Sequence, residues 1–459
     1  MHASTEQNLS RLDAQHHLHG FSNAVKNREE GSLIMERGEG IYVFDEQGEQ
    51  YIEALSGLWS AAVGFSEERL VEAATRQMRK LPFYHTFTQR SNQPLAELAQ
   101  KLITLAPVPM SKAFFTNSGS EANDTAIKLV WYRANALGHP EKTKIISRNR
   151  AYHGVTLGAS SLTGLPHVQG GFNLPLPGFF HLTAPHYFRE GRPGESEEDF
   201  SLRLAQELEA LIQREGAHTI GAMFAEPLMG AGGVILPPAG YWTLIQAVLK
   251  KHDILLVADE VICGFGRTGK MFGSEHFGIT PDMMVLSKQL SSSYLPISAL
   301  LINEKVYSVV AAESARRGTF GHGLTAGGHP VAAAVALENI KIIEERELVA
   351  KACALGEYMA TRFASLAAHP LVGEVRSLGL IGAIELVGKK DDKSPHISAG
   401  NLGAMMSAAL FRRKVITRNI GDAIALCPPL IITREQLADV LDRYEEALAE
   451  VTAEVQVSR

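Results

Sequence analysis

Up to about residue 330, short apolar runs alternate with longer stretches of helical periodicity. A short run of apolar residues is typical of a buried strand, and apolar positions every three or four residues indicate an amphipathic helix. The predicted strands are AFF (113–115), TKIIS (143–147), IGAMFA (220–225), ILLVAD (254–259), MMVLS (283–287) and ISALLI (297–302). The predicted helices lie near residues 68–79, 120–136, 199–214, 240–251 and 330–346. Strands separated by helices predict an α/β fold with a mostly parallel, doubly wound sheet.

The pattern changes after residue 330. Long helical stretches flank LVGEVRSLGLIGAIELV, which predicts two antiparallel strands, and the last helix begins with a capping box formed by Thr433 and Gln436. Near the other end of the chain, IYVFDEQGEQYIEA (41–54) predicts a β-hairpin. We therefore expect three regions, which are an N-terminal segment (1–65), a large domain (66–330) and a smaller α+β domain (331–459) that the N-terminal segment completes.

Composition and net charge exclude some classes of binding partner. The 459 residues are 45% hydrophobic and 20% charged, and the net charge of −6 comes with no long basic run, which argues against nucleic acid and against an anionic membrane. Cys263, Cys353 and Cys427 are scattered, which argues against a disulfide framework or a zinc site. No apolar run approaches the roughly 20 residues of a membrane span. The first twenty residues are polar and lack the apolar core of a signal peptide, so we expect a cytoplasmic enzyme.

Three histidines crowd the N-terminal stretch HHLHG, at His16, His17 and His19. Such a group suggests a metal site, because imidazole is a common metal ligand. No cysteine or carboxylate stands out beside them as a further ligand, so the sequence favours a surface or packing role. We predict an enzyme without a metal.

The stretch GFGRTG, from Gly264 to Gly269, matches the G-x-G-x-x-G pattern of dinucleotide-binding turns. Such a turn needs a helix directly after its third glycine, so that free N–H groups at the helix start meet the pyrophosphate. The residues that follow, KMFGSEHFGITPD, contain two glycines and a proline and predict a loop. A nicotinamide-dependent dehydrogenase is therefore a minor alternative.

A better anion site follows the strand AFF, where Ser118, Gly119 and Ser120 form a tight turn into a helix. The free N–H groups and the dipole of a helix start favour a phosphate. Asp259 and Lys288 each end a buried strand, so both side chains can face one cleft. An acid, an amine and a phosphate cradle at the carboxyl ends of parallel strands suit pyridoxal phosphate. Lys288 would bind its aldehyde covalently, and Asp259 would keep its ring nitrogen protonated.

Motifs along nearly the whole chain closely resemble those of class III, fold-type I pyridoxal-phosphate aminotransferases, and bacterial amine and ω-amino acid:pyruvate transaminases are the most similar. The motifs include GEGIYVFDEQG, SGLWSAAVGF, LPFYHTF, FFTNSGSEANDTAIK, RNRAYHG, LVADEVICGFGRTG, HGLTAGGHP and ITRNIGDAIALCPPLIIT. The resemblance implies transfer of an amino group from a primary amine or ω-amino acid to pyruvate or another α-keto acid, which gives alanine from pyruvate. It also implies a homodimer, in which each active site takes residues from both subunits.

The resemblance also implies roles for four further residues at the cofactor. Tyr152 would stack on one face of the cofactor ring, and Val261 would pack on the other. Glu226 would begin a loop that lines the site. Thr325 would reach the phosphate of the neighbouring subunit, although a loop hydroxyl that caps the helix at Pro330 remains a compatible role.

A substrate pocket follows from the same resemblance. Trp59 would form its aromatic wall, although core packing is the alternative for it and for its predicted neighbours. Arg418 would pair with a substrate carboxylate and swing away from an apolar group, and a surface salt bridge is its alternative role. The residues assigned to this pocket are Phe21, Leu58, Trp59, Phe87, Thr88 and Arg418.

Several positions depart from the family pattern and leave the substrate open. Gln289 follows the lysine where glycine is usual, and Ser293 and Ser298 replace glycines in the same loop. Thr88 replaces a phenylalanine, which should enlarge or polarise the pocket. A diamine such as putrescine, β-alanine and taurine are therefore alternative donors. A pyridoxal-phosphate aminomutase or decarboxylase is a more remote alternative.

Overall fold

The structure, a computed structural model, describes residues 8–457, and residues 1–7 and 458–459 of the predicted terminal regions lie outside it. The helices are α1 Leu9–His16, α2 Ala24–Glu30, α3 Ser56–Trp59, α4 Glu68–Lys80, α5 Gln93–Leu105, α6 Gly119–Ala136, α7 Leu157–Leu162, α8 Pro166–Gln169, α9 Tyr187–Glu190, α10 Glu197–Glu215, α11 Tyr241–Lys251, α12 Ser274–Phe277, α13 Glu304–Arg317, α14 Pro330–Glu345, α15 Leu348–Leu366, α16 Asn401–Arg412 and α17 Arg434–Val457. The strands are β1 Met35–Glu39, β2 Tyr42–Asp45, β3 Gln50–Glu53, β4 Lys112–Thr116, β5 Lys144–Arg148, β6 Phe179–Leu182, β7 Ile220–Ala225, β8 Leu255–Asp259, β9 Met283–Leu286, β10 Ser298–Ile302, β11 Val372–Leu378, β12 Ile381–Leu386, β13 Val415–Ile416, β14 Asn419–Ile420 and β15 Ala423–Leu426.

The central sheet is mixed but mostly parallel. Within residues 8–457 its order is β4-β10-β9-β8-β7-β5-β6. β10 runs antiparallel to both of its neighbours, and the other strands point the same way. This confirms the predicted α/β fold and includes all of the predicted strands, with small shifts at their ends. β6 is absent from the prediction, because its sequence FFHL is short and carries a histidine.

Helices cover both faces of this sheet. Consecutive residues of a strand point to opposite faces, and β8 illustrates the result. Leu255 and Val257 pack in a cluster with residues of α6 and α13, whereas Leu256 packs in a cluster with residues of α10 and α11. Every residue of β7, β8, β9 and β10 is buried. A continuous apolar strand is expected where helices cover both faces, so the runs seen in the sequence have a simple cause.

Two smaller sheets stand beside the central one, with the orders β1-β2-β3-β13 and β11-β12-β15-β14 in the described chain. The predicted hairpin and the predicted antiparallel pair are both present, as β2–β3 and β11–β12. β13 pairs with β3, Val415 opposite Ile52, so segments near both ends of the chain share one sheet. The capping box of α17 also forms, since the backbone N–H of Gln436 donates to Thr433 Oγ1 at 3.2 Å. The boundaries at residues 65 and 330 stay predictions. None of the helices in residues 8–457 has the length and apolarity that a bilayer crossing requires.

Candidate active site

The candidate site lies where β4, β5, β7, β8 and β9 end, at one edge of the central sheet. Turns after these strands converge there, which is the usual position of a ligand in an open α/β sheet. A cavity of about 130 Å³ opens at this edge. Its lining residues are Gly119, Ser120, Tyr152, His153, Gly154, Glu226, Asp259, Val261, Ile262, Ser287 and Lys288.

Lys288 follows β9 and begins a single 3₁₀ turn, Lys288–Leu290. Its φ of 46° lies in the left-handed region, which costs a residue with a side chain roughly 1–3 kcal/mol and is found mainly at functional sites. Its amine forms no hydrogen bond or ion pair with the described residues. Burial lowers the pKa of Lys288 to about 8, although the charges of Asp259 and Glu226 oppose this effect. The chain therefore holds a free amine that is partly neutral, and hence nucleophilic, at ordinary pH.

Asp259 ends β8 and is buried at the cavity. One carboxylate oxygen, Oδ2, lies 2.8 Å from His153 Nδ1 and accepts a hydrogen bond from the Asn123 side-chain amide at 3.0 Å. The other, Oδ1, accepts the backbone N–H of Val261 at 3.1 Å. The carboxylate is thus held in one orientation and can accept a ring N–H from a ligand in the cavity.

The neighbouring acid, Glu260, points away from the cavity. Its carboxylate accepts the backbone N–H groups of Gly273 at 2.9 Å and Ser274 at 2.7 Å. Burial raises the pKa of Glu260 to about 7. The adjacent acids therefore differ in placement, because Asp259 faces the cavity and Glu260 secures the start of α12.

The turn after β4 contains the residues that are predicted to bind an anion. Ser118 caps α6 by accepting the backbone N–H of Glu121 at 3.2 Å. The first N–H groups of a helix have no partner within it, so those of Gly119 and Ser120 are available to an anion. Gly154 packs directly on this turn with a φ of 127°, and a Cβ there would overlap the side chain of Ser120. Helix N–H groups, a hydroxyl, a free amine and a fixed carboxylate are donors and acceptors that fit pyridoxal phosphate.

Tyr152 and Val261, the predicted ring neighbours, both line the cavity. The backbone N–H of Tyr152 donates to Glu226 Oε1 at 3.1 Å, and Glu226 Oε2 accepts the backbone N–H of Gly230 at 3.0 Å. Burial raises the pKa of Glu226. This carboxylate joins the turn after β5 to the loop after β7 and so fixes the position of Tyr152.

Arg418 is half-buried, and its guanidinium forms no ion pair with the described residues. Burial raises the pKa of Tyr152, and the positive charge of Arg418 opposes that rise. The same charge contributes to the lowered pKa of Lys288. The guanidinium therefore affects the pKa values of Tyr152 and Lys288 without an ion pair to any described residue.

The other predicted pocket residues do not line the cavity of the single chain. Trp59 is only 1% exposed and belongs to the same apolar cluster as Ile262, which does line it. Phe21, Leu58 and Phe87 are exposed by 64%, 57% and 42%. Thr88 and Thr325 are also exposed.

The loop after Lys288 accommodates side chains where the family usually has glycine. The side-chain amide of Gln289 donates to the carbonyl oxygens of Ile262 at 2.8 Å and Gly264 at 3.1 Å. Ser298 Oγ donates to Ser287 Oγ at 2.6 Å. The side chains of Gln289 and Ser298 therefore add hydrogen bonds that tie the segment around Lys288 to its surroundings.

The glycine pattern of residues 264–269 does not open a nucleotide-binding helix. The chain after Gly269 runs through a bend into α12, which has only four residues. The glycines lie in the turn after β8, and the residues after Gly269 form the predicted loop.

His153 and Asn123 are not among the predicted site residues, although both lie in the motifs RNRAYHG and FFTNSGSEANDTAIK. Asn123 follows Ser120 at helical spacing and therefore shares its face of α6, and His153 follows Tyr152 directly. Their positions beside predicted site residues are the only indication in the sequence that they belong to the site. Their contact with Asp259 spans more than a hundred residues of chain, and no local pattern carries it.

Comparison with known proteins agrees with this geometry. The family described as Aminotransferase class-III matches residues 24–448. A gamma aminobutyrate transaminase 1, mitochondrial, from Solanum lycopersicum is 48% identical over 95% of this chain and 85% of its own length. A vanillin aminotransferase from Capsicum annuum is 45% identical over 92% of this chain and 93% of its own. The crystal structure of the omega transaminase from Pseudomonas jessenii in complex with PMP superposes with a TM-score of 0.97 at 56% identity, covering 98% of this chain and 99% of that chain. The chain belongs to the class-III aminotransferases, a family of pyridoxal-phosphate enzymes.

Proposed function

We propose that this aminotransferase moves an amino group from a primary amine or an ω-amino acid to pyruvate or another α-keto acid. The observation that carries the proposal is the Lys288 amine, which is unpaired among the described residues and shares a cavity with Asp259. Bound pyridoxal phosphate supplies an electron-withdrawing ring that stabilises negative charge on the carbon beside the transferred nitrogen.

The residues that would hold the cofactor divide by chemistry. Lys288 would bind its aldehyde, and the Asp259 carboxylate would accept the hydrogen of the ring nitrogen. The start of α6 would bind the phosphate through N–H groups and the helix dipole. Tyr152 and Val261 would confine the ring from its two faces, and Glu226 would keep Tyr152 in place. The phosphate-binding residues are Ser118, Gly119 and Ser120.

Lys288 would also move the proton of the reaction. An efficient general base has a pKa near the working pH, and the pKa of Lys288 is lowered to about 8. Its Nζ would take the proton from the substrate carbon. It would then deliver the proton to the cofactor carbon on the other side of the transferred nitrogen. No other amine lines the cavity in the described chain, which supports this choice.

The substrate class rests on Arg418 and on the relatives. A guanidinium without an ion-pair partner in the described chain is suited to bind a planar carboxylate through two parallel hydrogen bonds. The relatives named gamma aminobutyrate transaminase and omega transaminase support a donor whose amino group is remote from any carboxylate. Within this class we favour an ω-amino acid such as γ-aminobutyrate, and putrescine, β-alanine and taurine are the alternatives.

We also propose a homodimer in which each subunit completes the substrate pocket of the other. Phe21, Leu58 and Phe87 are large apolar side chains that one chain leaves exposed. The segment of Phe87 contacts the loop that bears Thr325, since Thr86 Oγ1 donates to the carbonyl oxygen of Gly327 at 3.5 Å. A second copy that covered these side chains would remove their apolar surface from water. The cytoplasmic location stays a prediction.

Borohydride reduction of the holoenzyme, followed by peptide mass mapping, tests the attachment. We expect the cofactor mass on the peptide that contains Lys288. Attachment at another lysine, or an unlabelled protein, contradicts the proposal.

A donor panel tests the reaction. The panel contains γ-aminobutyrate, β-alanine, putrescine, taurine and a simple aromatic amine, each with pyruvate and separately with α-ketoglutarate as acceptor. Alanine formation from pyruvate supports the proposed transfer. If only glutamate forms, the amino group goes to α-ketoglutarate and not to pyruvate. Conversion of a donor without consumption of the keto acid indicates an aminomutase or a decarboxylase.

A further inference from the structure

The N-terminal segment brings one carboxylate and two imidazoles together. Asp13 lies in α1, and His17 follows it by one helical turn, with His17 Nδ1 3.0 Å from Asp13 Oδ1. The chain then turns back, so that His19 Nε2 lies 2.5 Å from Asp13 Oδ2. The two imidazole rings are 4.2 Å apart, and the possible ligand atoms of the three residues all lie within 4.8 Å of one another. We propose that Asp13, His17 and His19 form a divalent-cation site, most suited to Zn²⁺, that fixes the N-terminal segment.

The chemistry of the donors favours a borderline metal. Imidazole nitrogen and carboxylate oxygen are ordinary ligands of Zn²⁺ at about 2.0–2.2 Å. Two ligands at that distance stand roughly 3.4 Å apart at a tetrahedral angle. The Asp13 contacts of 2.5 and 3.0 Å would therefore lengthen by about 0.9 and 0.4 Å to admit an ion between the side chains. Three protein ligands leave the fourth position to water.

A second cluster of similar composition in the described chain shows what excludes a cation. His186, Glu374 and Glu385 also gather possible ligand atoms. There, however, Arg189 and Arg376 each reach Glu385 at 2.7 Å, so arginine already supplies the positive charge.

Around Asp13, by contrast, the ion pairs within residues 8–457 involve only the two histidines, and no lysine or arginine competes for the carboxylate. Ser32 Oγ donates to the same carboxylate and so orients it. Outer-shell hydrogen bonds of this kind hold metal ligands in position.

A cross-link would stabilise the N-terminal segment that contains α1 and α2. Neither α1 nor α2 contains a buried residue, so these helices lack an apolar core. Leu18, between the two histidine ligands, is 82% exposed. A bound ion would join Asp13 in α1 to His19 in the turn that leads to Phe21, and the hydrogen bond from Ser32 to Asp13 would extend this link to residue 32. Because Phe21 is assigned to the substrate pocket, the ion would order one wall of that pocket from outside it.

The site can be tested on the metal-free holoenzyme with Zn²⁺ as the probe. After dialysis against a chelator, binding is measured by calorimetry and the bound metal by elemental analysis. Asp13→Asn and His19→Gln each remove one ligand, and His16→Gln is the matched control, because His16 is exposed and lies outside the cluster. We expect one high-affinity Zn²⁺ per chain in the wild type and in the control, and at least tenfold weaker binding in both ligand variants. Equal binding by all four proteins overturns the proposal.

A second readout addresses the ordering of the segment. Trypsin can cut after Arg11, Lys26 and Arg28, which flank the cluster. We expect Zn²⁺ to slow these cuts in the wild type and in His16→Gln but not in Asp13→Asn. Identical cleavage rates with and without Zn²⁺ in the wild type would contradict the stabilising role.

Discussion

His153 Nδ1 lies 2.8 Å from the Asp259 carboxylate, and both side chains are almost completely buried. The contact joins the turn after β5 to the last residue of β8, across the intervening strand β7. It prevents the carboxylate from rotating at the cavity. The orientation of a single acid thus depends on two separate segments of the sheet edge.

Replacing Asp259 with Asn should separate the effect of the negative charge on activity from the effect of the side chain's shape. The amide keeps the size of the side chain but loses the negative charge that would hold a cationic ring nitrogen. Loss of one preorganised electrostatic contact lowers kcat by about 10²–10³, and we expect that loss in alanine formation. Glu260→Gln is the matched control, because this neighbouring acid faces away from the cavity. Comparable losses in both variants would show that burial of an acid, rather than its position, matters.

The reactivity of Lys288 should follow pH with a midpoint near its lowered pKa of about 8. In the cofactor-free enzyme, neutral amine accumulates as pH rises through that value, so covalent capture of pyridoxal phosphate should accelerate and then level off. The unfolded chain, with an ordinary lysine pKa of 10.5, binds one more proton between these values. The free energy of unfolding contributed by Lys288 therefore rises from pH 8 to 10.5. Stopped-flow absorbance measures the capture rate, and a rate that still climbs at the pKa of a free lysine would contradict the assignment.

Arg418→Met should discriminate between donors in the first half-reaction, which is followed by cofactor absorbance with donor alone. A hydrogen-bonded charged pair contributes about 1.5–3 kcal/mol, so the apparent affinity for γ-aminobutyrate should fall roughly 10- to 150-fold. An amine without a carboxylate should react nearly as before. Arg418→Lys keeps the charge but loses the planar fork and should give an intermediate result. A uniform loss for all donors would assign Arg418 to the structure of the site.

Arg376 should be important for stability. Its guanidinium pairs with Glu385 at 2.7 Å and donates to the carbonyl oxygens of Gly233 at 2.7 Å and Val234 at 3.1 Å. Removing one partner of a buried pair costs about 3–5 kcal/mol, so Arg376→Met should lower the free energy of unfolding by that amount in urea. Arg412→Met, which removes an arginine that is 54% exposed, should cost less than about 1 kcal/mol. Equal effects would remove the distinction between buried and exposed pairs.

The same pair predicts a response to acid. Burial would raise the pKa of Glu385, but the charges of Arg376 and His186 outweigh it and hold this pKa at about 2. A carboxylate with a depressed pKa stabilises the folded state above its ordinary value of 4.5 and loses that contribution as pH falls toward 2. Denaturation midpoints measured across this range should therefore decline more steeply in the wild type than in Glu385→Gln. Parallel declines would contradict the assignment.

The sequence predicts those parts of the fold that depend on local pattern. β7 to β10 are continuous apolar runs because both faces of the sheet are covered, and Asp259 and Lys288 are recognisable as polar residues at the ends of such runs. Helix α5 is absent from the prediction although Leu95, Leu98 and Leu102 repeat at helical spacing, so that omission had a readable signal.

Other relationships had no local signal. The contact of His153 with Asp259 and the burial of Trp59 depend on how distant segments pack. The exposure of Phe21 and Phe87 also depends on tertiary packing. By contrast, the carboxylate partner of His17 and His19 did have a local signal, since Asp13 precedes His17 by one helical turn.

The pairing of β4 has a consequence for biosynthesis. Among the described strands of the central sheet, β4 pairs with β10 alone, although β10 is made much later. Translation delivers the chain from its N-terminus, so β4 leaves the ribosome without a neighbour and waits for residues 298–302. Until they emerge, the anion cradle at its end has no rigid support. The candidate site is therefore complete only after residues 298–302 have been synthesised, because β10 supports β4 beside the phosphate-binding turn.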